Sequence, residues 1–271
     1  MDARRDVGAG MTHRWDGGEF SIGPVGGDGP ALLCLHGLTG TPFEVRPPPA
    51  LVEEHGFACV GPMLPGHGSN PDDLARTRYS EWTACAEVAF DRLRATHRHV
   101  YVMGLSAGGV IALWLAARRD VAGALVLAAP LRLRGLYRVL VPALHHVIGS
   151  VDRTPSVLDD DVRANMPGYR RMPLSAVAQL IQLQSRVEGM LGDVVAPLRL
   201  LYSRHDPTVP FFNAALLQRL ACRSETRLEV LERSSHVITV DVERERVSGW
   251  ILRVLLELDA HARRGDASAA E

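Results

Sequence analysis

Short apolar runs recur along the chain: ALLCL at 31–35, FACVGP at 57–62, HVYVMG at 99–104, ALVLAAP at 124–130, LRLLYS at 198–203 and RLEVLE at 227–232. Most are continuous rather than alternating, which suits strands covered on both faces, as in a parallel sheet. Helical periodicity fills the intervals, at about 42–55, 80–96, 107–119, 210–221 and 241–258. In the last of these, Val242, Val247, Ile251, Val254 and Leu255 fall at helical spacing, and Glu243, Arg244, Glu245 and Arg246 turn mostly outward. Strand–helix alternation of this kind predicts an α/β fold with a mostly parallel, doubly wound sheet.

The rhythm breaks between 131 and 196. LRLRGLYRVLVPALHHVIGS and PLSAVAQLIQLQSRVEGMLGDVV both read as helical, and no strand is expected between them. The expected organisation is therefore a core of residues 1–130 and 197–271 with a helical cap or lid, 131–196, inserted between late strands. The cap is apolar, with Leu131, Leu136, Leu140, Val141, Leu144 and Ile148 in its first half. Most of these positions suit packing onto the core, and a subset suits an acyl pocket. Residues 1–12 and 262–271 read as frayed tails, and GPVGGDGP at 23–30 as a turn-rich connection rather than a phosphate loop.

Composition changes this picture little. The net charge of −1 does not attract nucleic acid or an anionic membrane. All 30 basic residues are arginine, a bias of coding rather than of binding. Cys34, Cys59, Cys85 and Cys222 are scattered without CxxC spacing and read as structural thiols. No HExxH or similar cluster suggests a metal. No apolar run reaches the length of a membrane span, and the N-terminal stretch lacks an apolar signal core, so a cytoplasmic protein without stable membrane insertion is expected. A homo-oligomer is compatible with the sequence, which does not specify one.

Candidate chemistry centres on GLSAGG. Ser106 lies between a strand and the helix AGGVIALWLAARR, flanked by Gly104 and Gly108. In that context G-x-S-x-G is a nucleophile elbow: the serine is forced into a strained conformation, and the glycines let strand and helix approach. A serine hydroxyl needs a base, and the base needs an orienting acid. Asp206 follows the strand 198–203, where an N-cap role is the competing reading. His236 follows the last strand and precedes the last helix, a position that no other histidine occupies. His205, His145 and His146 read as loop or surface residues, and the Asp159, Asp160 and Asp161 run as a solvated face. An oxyanion would need two preorganised N–H donors. The amides of Ala107, after the serine, and Leu38, in the HGLTG loop, are the candidates. Gly37 and Gly40 let that loop turn, and His36 is expected to bond its backbone.

HGLTG, PMLPGHG, GLSAGG, SRHD and SSHVITVD occur in this order over roughly 31–258. On these motifs the chain resembles the small bacterial carboxylesterases, notably the thermostable Est30-type enzymes, and the monoacylglycerol lipases of the α/β-hydrolase superfamily. The resemblance implies an α/β-hydrolase fold, a Ser106–Asp206–His236 triad, oxyanion donors at Leu38 and Ala107, no metal or organic cofactor, and a small-molecule ester as partner. Leu38 stands where such esterases often carry Phe, and Ala107 where Met, Leu or Gln is common. Both changes alter the pocket rather than the backbone donors. The same motifs would serve thioester cleavage, C–C hydrolysis or perhydrolysis. A haloalkane dehalogenase would need Asp at position 106, and a silent binding module would lack a triad member. A lipase working at a membrane surface would want an exposed amphipathic lid.

Overall fold

The computed structural model of the protein describes residues 15–24, 29–47, 51 and 54–269. Seven strands form one sheet: β1 (Phe20–Ile22), β2 (Ala31–Leu35), β3 (Ala58–Gly61), β4 (Val100–Leu105), β5 (Gly123–Leu127), β8 (Leu198–Ser203) and β9 (Thr226–Leu231). Their order is β1-β3-β2-β4-β5-β8-β9. Only β1 runs antiparallel, pairing with β3 through Phe20↔Gly61. The six parallel strands are the six apolar runs, with ends shifted by at most three residues. The three-residue edge strand β1, FSI, was too short to read from the sequence.

Residue alternation along each strand splits the core into two layers. Leu33, Leu35, Val102, Val126 and Leu200 face α2 (Tyr79–Arg94), α3 (Ala107–Arg118) and part of the stretch between β5 and β8. Leu32, Cys34, Met103, Leu125 and Leu201 face Trp250, Ile251 and Leu255 of α8 (Arg244–Ala269), the helix that follows α7 (Phe212–Leu220). Both faces of the sheet are thereby dry, as the continuous apolar runs require. All four cysteines are free thiols.

The structure departs from the sequence reading at several places. Of the helix expected at 42–55, Pro42–Val45 is a 3-10 turn and Leu51 is helical. The turn ends at Arg46, whose extended backbone is the conformation favoured before Pro47; residues 48–50 and 52–53 lie outside the described residues. The expected tail 262–271 is helical as far as Ala269. It is held there by Asp266, which pairs with Arg98 at 2.7 Å and His99 at 2.9 Å, and by the Arg263–Asp259 pair at 2.7 Å. The same helix starts only at Arg244, so Val242 is left exposed. The expected tail 1–12 and residues 25–28 of the turn-rich connection lie outside the described residues. A further short helix, α1 (Pro71–Arg76), is capped by Asn70, whose side chain accepts from the amides of Asp72 and Asp73.

Between β5 and β8 the chain is not purely helical. It runs α4 (Tyr137–Leu144), β6 (Ser150–Asp152), α5 (Asp160–Asn165), β7 (Arg171–Pro173) and α6 (Leu174–Glu188). β6 and β7 pair antiparallel, Ser150↔Pro173 to Asp152↔Arg171, as a separate two-stranded sheet. Three-residue strands carry too little periodicity to register against helical neighbours. The acidic run is structural as well as solvated: Asp159 caps α5 through the Val162 amide and pairs with Arg244 at 2.6 Å.

Two buried histidines fasten the loops above β2 and β3. The Leu64 amide donates to His36 Nε2 at 3.1 Å, so Nδ1 carries the proton and donates to Gly37 O at 3.0 Å. His67 packs edge-on against His36 and stacks on Tyr169. Tyr169 in turn bonds Gly66 O through its hydroxyl and Thr39 O through its amide. Burial holds the His36 ring down at about 3 and the His67 ring at about 4, against an ordinary 6.5. Both are therefore neutral when folded, yet take up a proton near 6.5 when unfolded. The stability they contribute is complete above pH 6.5 and is lost as pH falls toward their folded values. The free energy of unfolding in urea should be lower at pH 5 than at pH 7.5, and His67→Gln should flatten that dependence. An unchanged pH dependence in the variant would contradict this origin.

Candidate active site

The site lies at the C-terminal ends of the parallel strands, where the strand order turns from β2 outward to β3 on one side and to β4 on the other. Such a switch point opens a crevice between neighbouring loops. Ser106 stands between β4 and α3 with φ 55° and ψ −119°, a conformation that costs a non-glycine residue on the order of 1–3 kcal/mol. Three backbone hydrogen bonds offset that cost: Ser106 N–H to Leu127 O at 2.8 Å, and Ser106 O from Gly109 N at 2.9 Å and Val110 N at 3.2 Å. At about 1 kcal/mol net each, they are enough to hold the strained residue.

The flanking glycines are there for close approach. A Cβ on Gly108 would overlap the carbonyl oxygen of Leu35, and one on Gly104 the carbonyl of Gly108. The first turn of α3 is thus pressed onto the ends of β2 and β4, and no side chain fits between them. The Ala107 amide is the first of α3 and has no carbonyl one helical turn back to bond.

Ser106, Asp206 and His236, distant in sequence, meet above the sheet. His236 Nε2 lies 2.9 Å from Ser106 Oγ, and Nδ1 lies 2.7 Å from Asp206 Oδ2. The Asp206 side chain is fully buried and that of His236 nearly so. Asp206 Oδ1 accepts the amides of Thr208 at 2.7 Å and Val209 at 2.9 Å, so the carboxylate also organises the turn after β8, the capping role weighed against catalysis. A carboxylate at Nδ1 puts the proton there and leaves the Nε2 lone pair facing the serine hydroxyl. His205 is exposed in the same loop, as expected. Gly37 is adjacent: its ideal Cβ position lies 3.4 Å from Ser106 Cβ, which places the HGLTG loop against Ser106. Leu38 and Ala107 are both buried.

Three residues outside the expected set, Asp241, Ser156 and Glu44, support the site. Asp241 is fully buried; its Oδ1 accepts the amides of Leu158, Asp159 and Val242, and its Oδ2 accepts Ser235 N at 2.6 Å. The histidine loop is thereby tied to residues 156–159, a tie reinforced by Ser156 O, which accepts His236 N at 3.0 Å. Asp241 closes the SSHVITVD motif, so the signal was present but had been read only as a helix start. The third, Glu44, is buried beside Gly37 and carried no motif at all.

Among the described residues no group of three or more His, Cys, Asp or Glu side chains is arranged to hold a metal ion. No helix of the described residues is long and apolar enough to cross a membrane. A hollow of about 770 Å³ between Arg199, Arg227, Glu257 and His261 is at the opposite end of the strands from Ser106.

A family model for the alpha/beta hydrolase fold matches residues 30–180. A thermostable monoacylglycerol lipase of Bacillus sp. (strain H-257) is 28% identical over 231 residues, covering 83% of this chain and 88% of the lipase. A carboxylesterase of Bacillus subtilis (strain 168) is 25% identical over 238 residues, covering 86% of this chain and 95% of the esterase. A solved structure from work on the metagenome-derived lipolytic enzymes LipS and LipT superposes with a TM-score of 0.80 at 27% identity, over 90% of this chain and 98% of its own. The monoacylglycerol lipase of Paleococcus ferrophilus shares the fold with a TM-score of 0.71 at 16% identity, over 89% of this chain and 98% of its own.

The close approach at the elbow sets a sharp expectation. Gly108→Ala has no space for its methyl group without moving β2 or α3, and should cost more than about 4 kcal/mol of stability or prevent soluble folding. A Gly108→Ala protein with the unfolding midpoint of the parent would contradict the packing described.

Proposed function

The chain belongs to the α/β-hydrolase family, and within it we propose that the protein hydrolyses carboxylic esters through an acyl-enzyme formed on Ser106. The observation that carries this reading is the continuous hydrogen-bond chain from Ser106 Oγ through both nitrogens of His236 to a buried Asp206. His236 Nε2 takes the Ser106 proton as Oγ bonds to the ester carbonyl carbon. The carbonyl oxygen becomes an oxyanion, received by the amides of Leu38 and Ala107. As the C–O bond to the alcohol breaks, His236 returns the proton to the leaving oxygen. Water then repeats the sequence on the acyl-enzyme, releasing the acid and restoring Ser106. Asp206 holds the His236 tautomer and offsets the positive charge that the ring gains. Every proton and charge in this cycle is handled by a protein group, so the reading calls for no cofactor.

We take residues 131–196 as the cap over this site, and short- to medium-chain esters or monoacylglycerols as the substrates. Two observations favour an apolar acyl group. The Bacillus relatives are named a monoacylglycerol lipase and a carboxylesterase. The first half of the proposed cap also presents Leu136, Tyr137, Val139 and Val147 to solvent, each more than 60% exposed. Only Val141 of α4 is buried, against Ala178 and Ile181 of α6. That exposure departs from the core packing expected of Leu136, Leu140, Leu144 and Ile148. Contiguous exposed apolar side chains of this kind mark surfaces that meet apolar ligands or partners.

Ser106→Ala should fold normally and lose on the order of 10⁴–10⁶ in kcat on p-nitrophenyl esters; a folded variant with substantial turnover would overturn the nucleophile assignment. Across a p-nitrophenyl ester series, kcat/KM should peak at short to medium acyl chains. A profile still rising at long-chain esters, or a preference for acyl thioesters, would contradict the substrate reading.

A further inference from the structure

Glu44 is a buried carboxyl group that the mechanism above does not use. It is 2% exposed and lies on the 3-10 turn Pro42–Val45, immediately after the HGLTG loop. Its Oε2 accepts the Gly37 amide at 3.1 Å. A Cβ on Gly40 would overlap the same carboxyl group, so the loop backbone rests directly on it at both ends. The loop closes between those ends through Gly40 N–H to Gly37 O at 3.1 Å, and Thr39 takes a left-handed φ of 66°. Leu38 is inside that closed turn. Gly37 has Glu44 on one side and Ser106 on the other, with its ideal Cβ position 3.2 Å from Glu44 Oε2 and 3.4 Å from Ser106 Cβ.

We propose that Glu44 is a positioning residue for the oxyanion-binding loop: its Oε2, as a hydrogen-bond acceptor, fixes the plane of the 37–40 turn and so the direction of the Leu38 N–H. This rests on the reading of Leu38 as an oxyanion donor. Burying a carboxyl group is costly, and shape alone would be met by an apolar side chain. What the carboxyl supplies is an acceptor for the Gly37 amide, which would otherwise be orphaned beside the nucleophile. Burial pushes the Glu44 carboxyl above the ordinary carboxylate range, while Arg153, the Gly37 N–H and His236 pull it back. An acceptor oxygen facing Gly37 is available in either protonation state, so the positioning does not depend on charge.

Three variants separate acceptor, charge and packing. Glu44→Gln keeps an acceptor oxygen at the same reach, Glu44→Asp keeps the charge but withdraws the oxygen, and Glu44→Ala removes both. Removing an oxyanion donor outright costs about 10²–10³ in kcat, and misaligning one should cost less. Glu44→Gln should stay within about 3-fold of the parent kcat, with Glu44→Asp and Glu44→Ala lower by roughly 10- to 100-fold and KM little changed. Affinity for a trifluoromethyl ketone, which forms the tetrahedral adduct, should fall in parallel with kcat. If Glu44→Ala does not fold, the order of Gln above Asp decides the matter. Parent-like kcat in Glu44→Ala, or Asp equal to or above Gln, would overturn the proposal. Failure of the acyl-enzyme reading appears separately, as a parent protein that forms no ketone adduct at Ser106.

Discussion

The first turn of α3 comes so close to the ends of β2 and β4 that only glycine fits at 104 and 108, and the rest of the site depends on that contact. It forces the residue between strand and helix into a left-handed conformation, φ 55° at Ser106. A serine so held projects its hydroxyl above the sheet, next to the start of a helix whose first amide is unused. Relaxing the approach by one methyl group would let the serine return to ordinary backbone geometry and would carry the hydroxyl away from His236. The strain is affordable because the same backbone makes three hydrogen bonds to Leu127, Gly109 and Val110.

Around that fixed point, the movable parts are loops, and each is held by a buried polar group rather than by packing alone. His36, neutral in the fold, joins the HGLTG loop to the loop after β3. Glu44 supports the underside of the HGLTG loop. Asp206 organises its own turn while facing His236. Asp241 links the histidine loop to residues 158 and 159, and Tyr169 bonds both Thr39 and Gly66. The segment between β5 and β8 is therefore fastened to the loops of the site through Asp241, Ser156 and Tyr169. Buried acceptors of this kind specify geometry strongly, because each lost partner leaves an orphaned donor.

How much of this the sequence disclosed follows from the length scale of each signal. The parallel strands were legible because burial on both faces writes continuous apolar runs. Ser106, Asp206 and His236 were legible because each follows a strand, and Gly104 and Gly108 because steric closeness leaves only one residue type. Edge strand β1 and the β6–β7 pair were not, since three residues do not establish a period. The helix expected over 42–55 ignored that Arg46, extended before Pro47, ends the turn begun at Pro42, and the tail expected after 261 ignored that Asp259 and Asp266 could reach His99, Arg98 and Arg263. Glu44 left no trace because a lone acidic residue in a stretch expected to be helical looks solvated until the loop backbone folds over it.

The central claim is that this geometry activates one hydroxyl. The direct measurement is intact-mass spectrometry after exposure to a serine-directed fluorophosphonate, followed by peptide mapping. The account predicts one adduct per chain, on Ser106, and none when His236 is replaced by Ala. A folded protein that takes no adduct, or takes it on another serine, would contradict it.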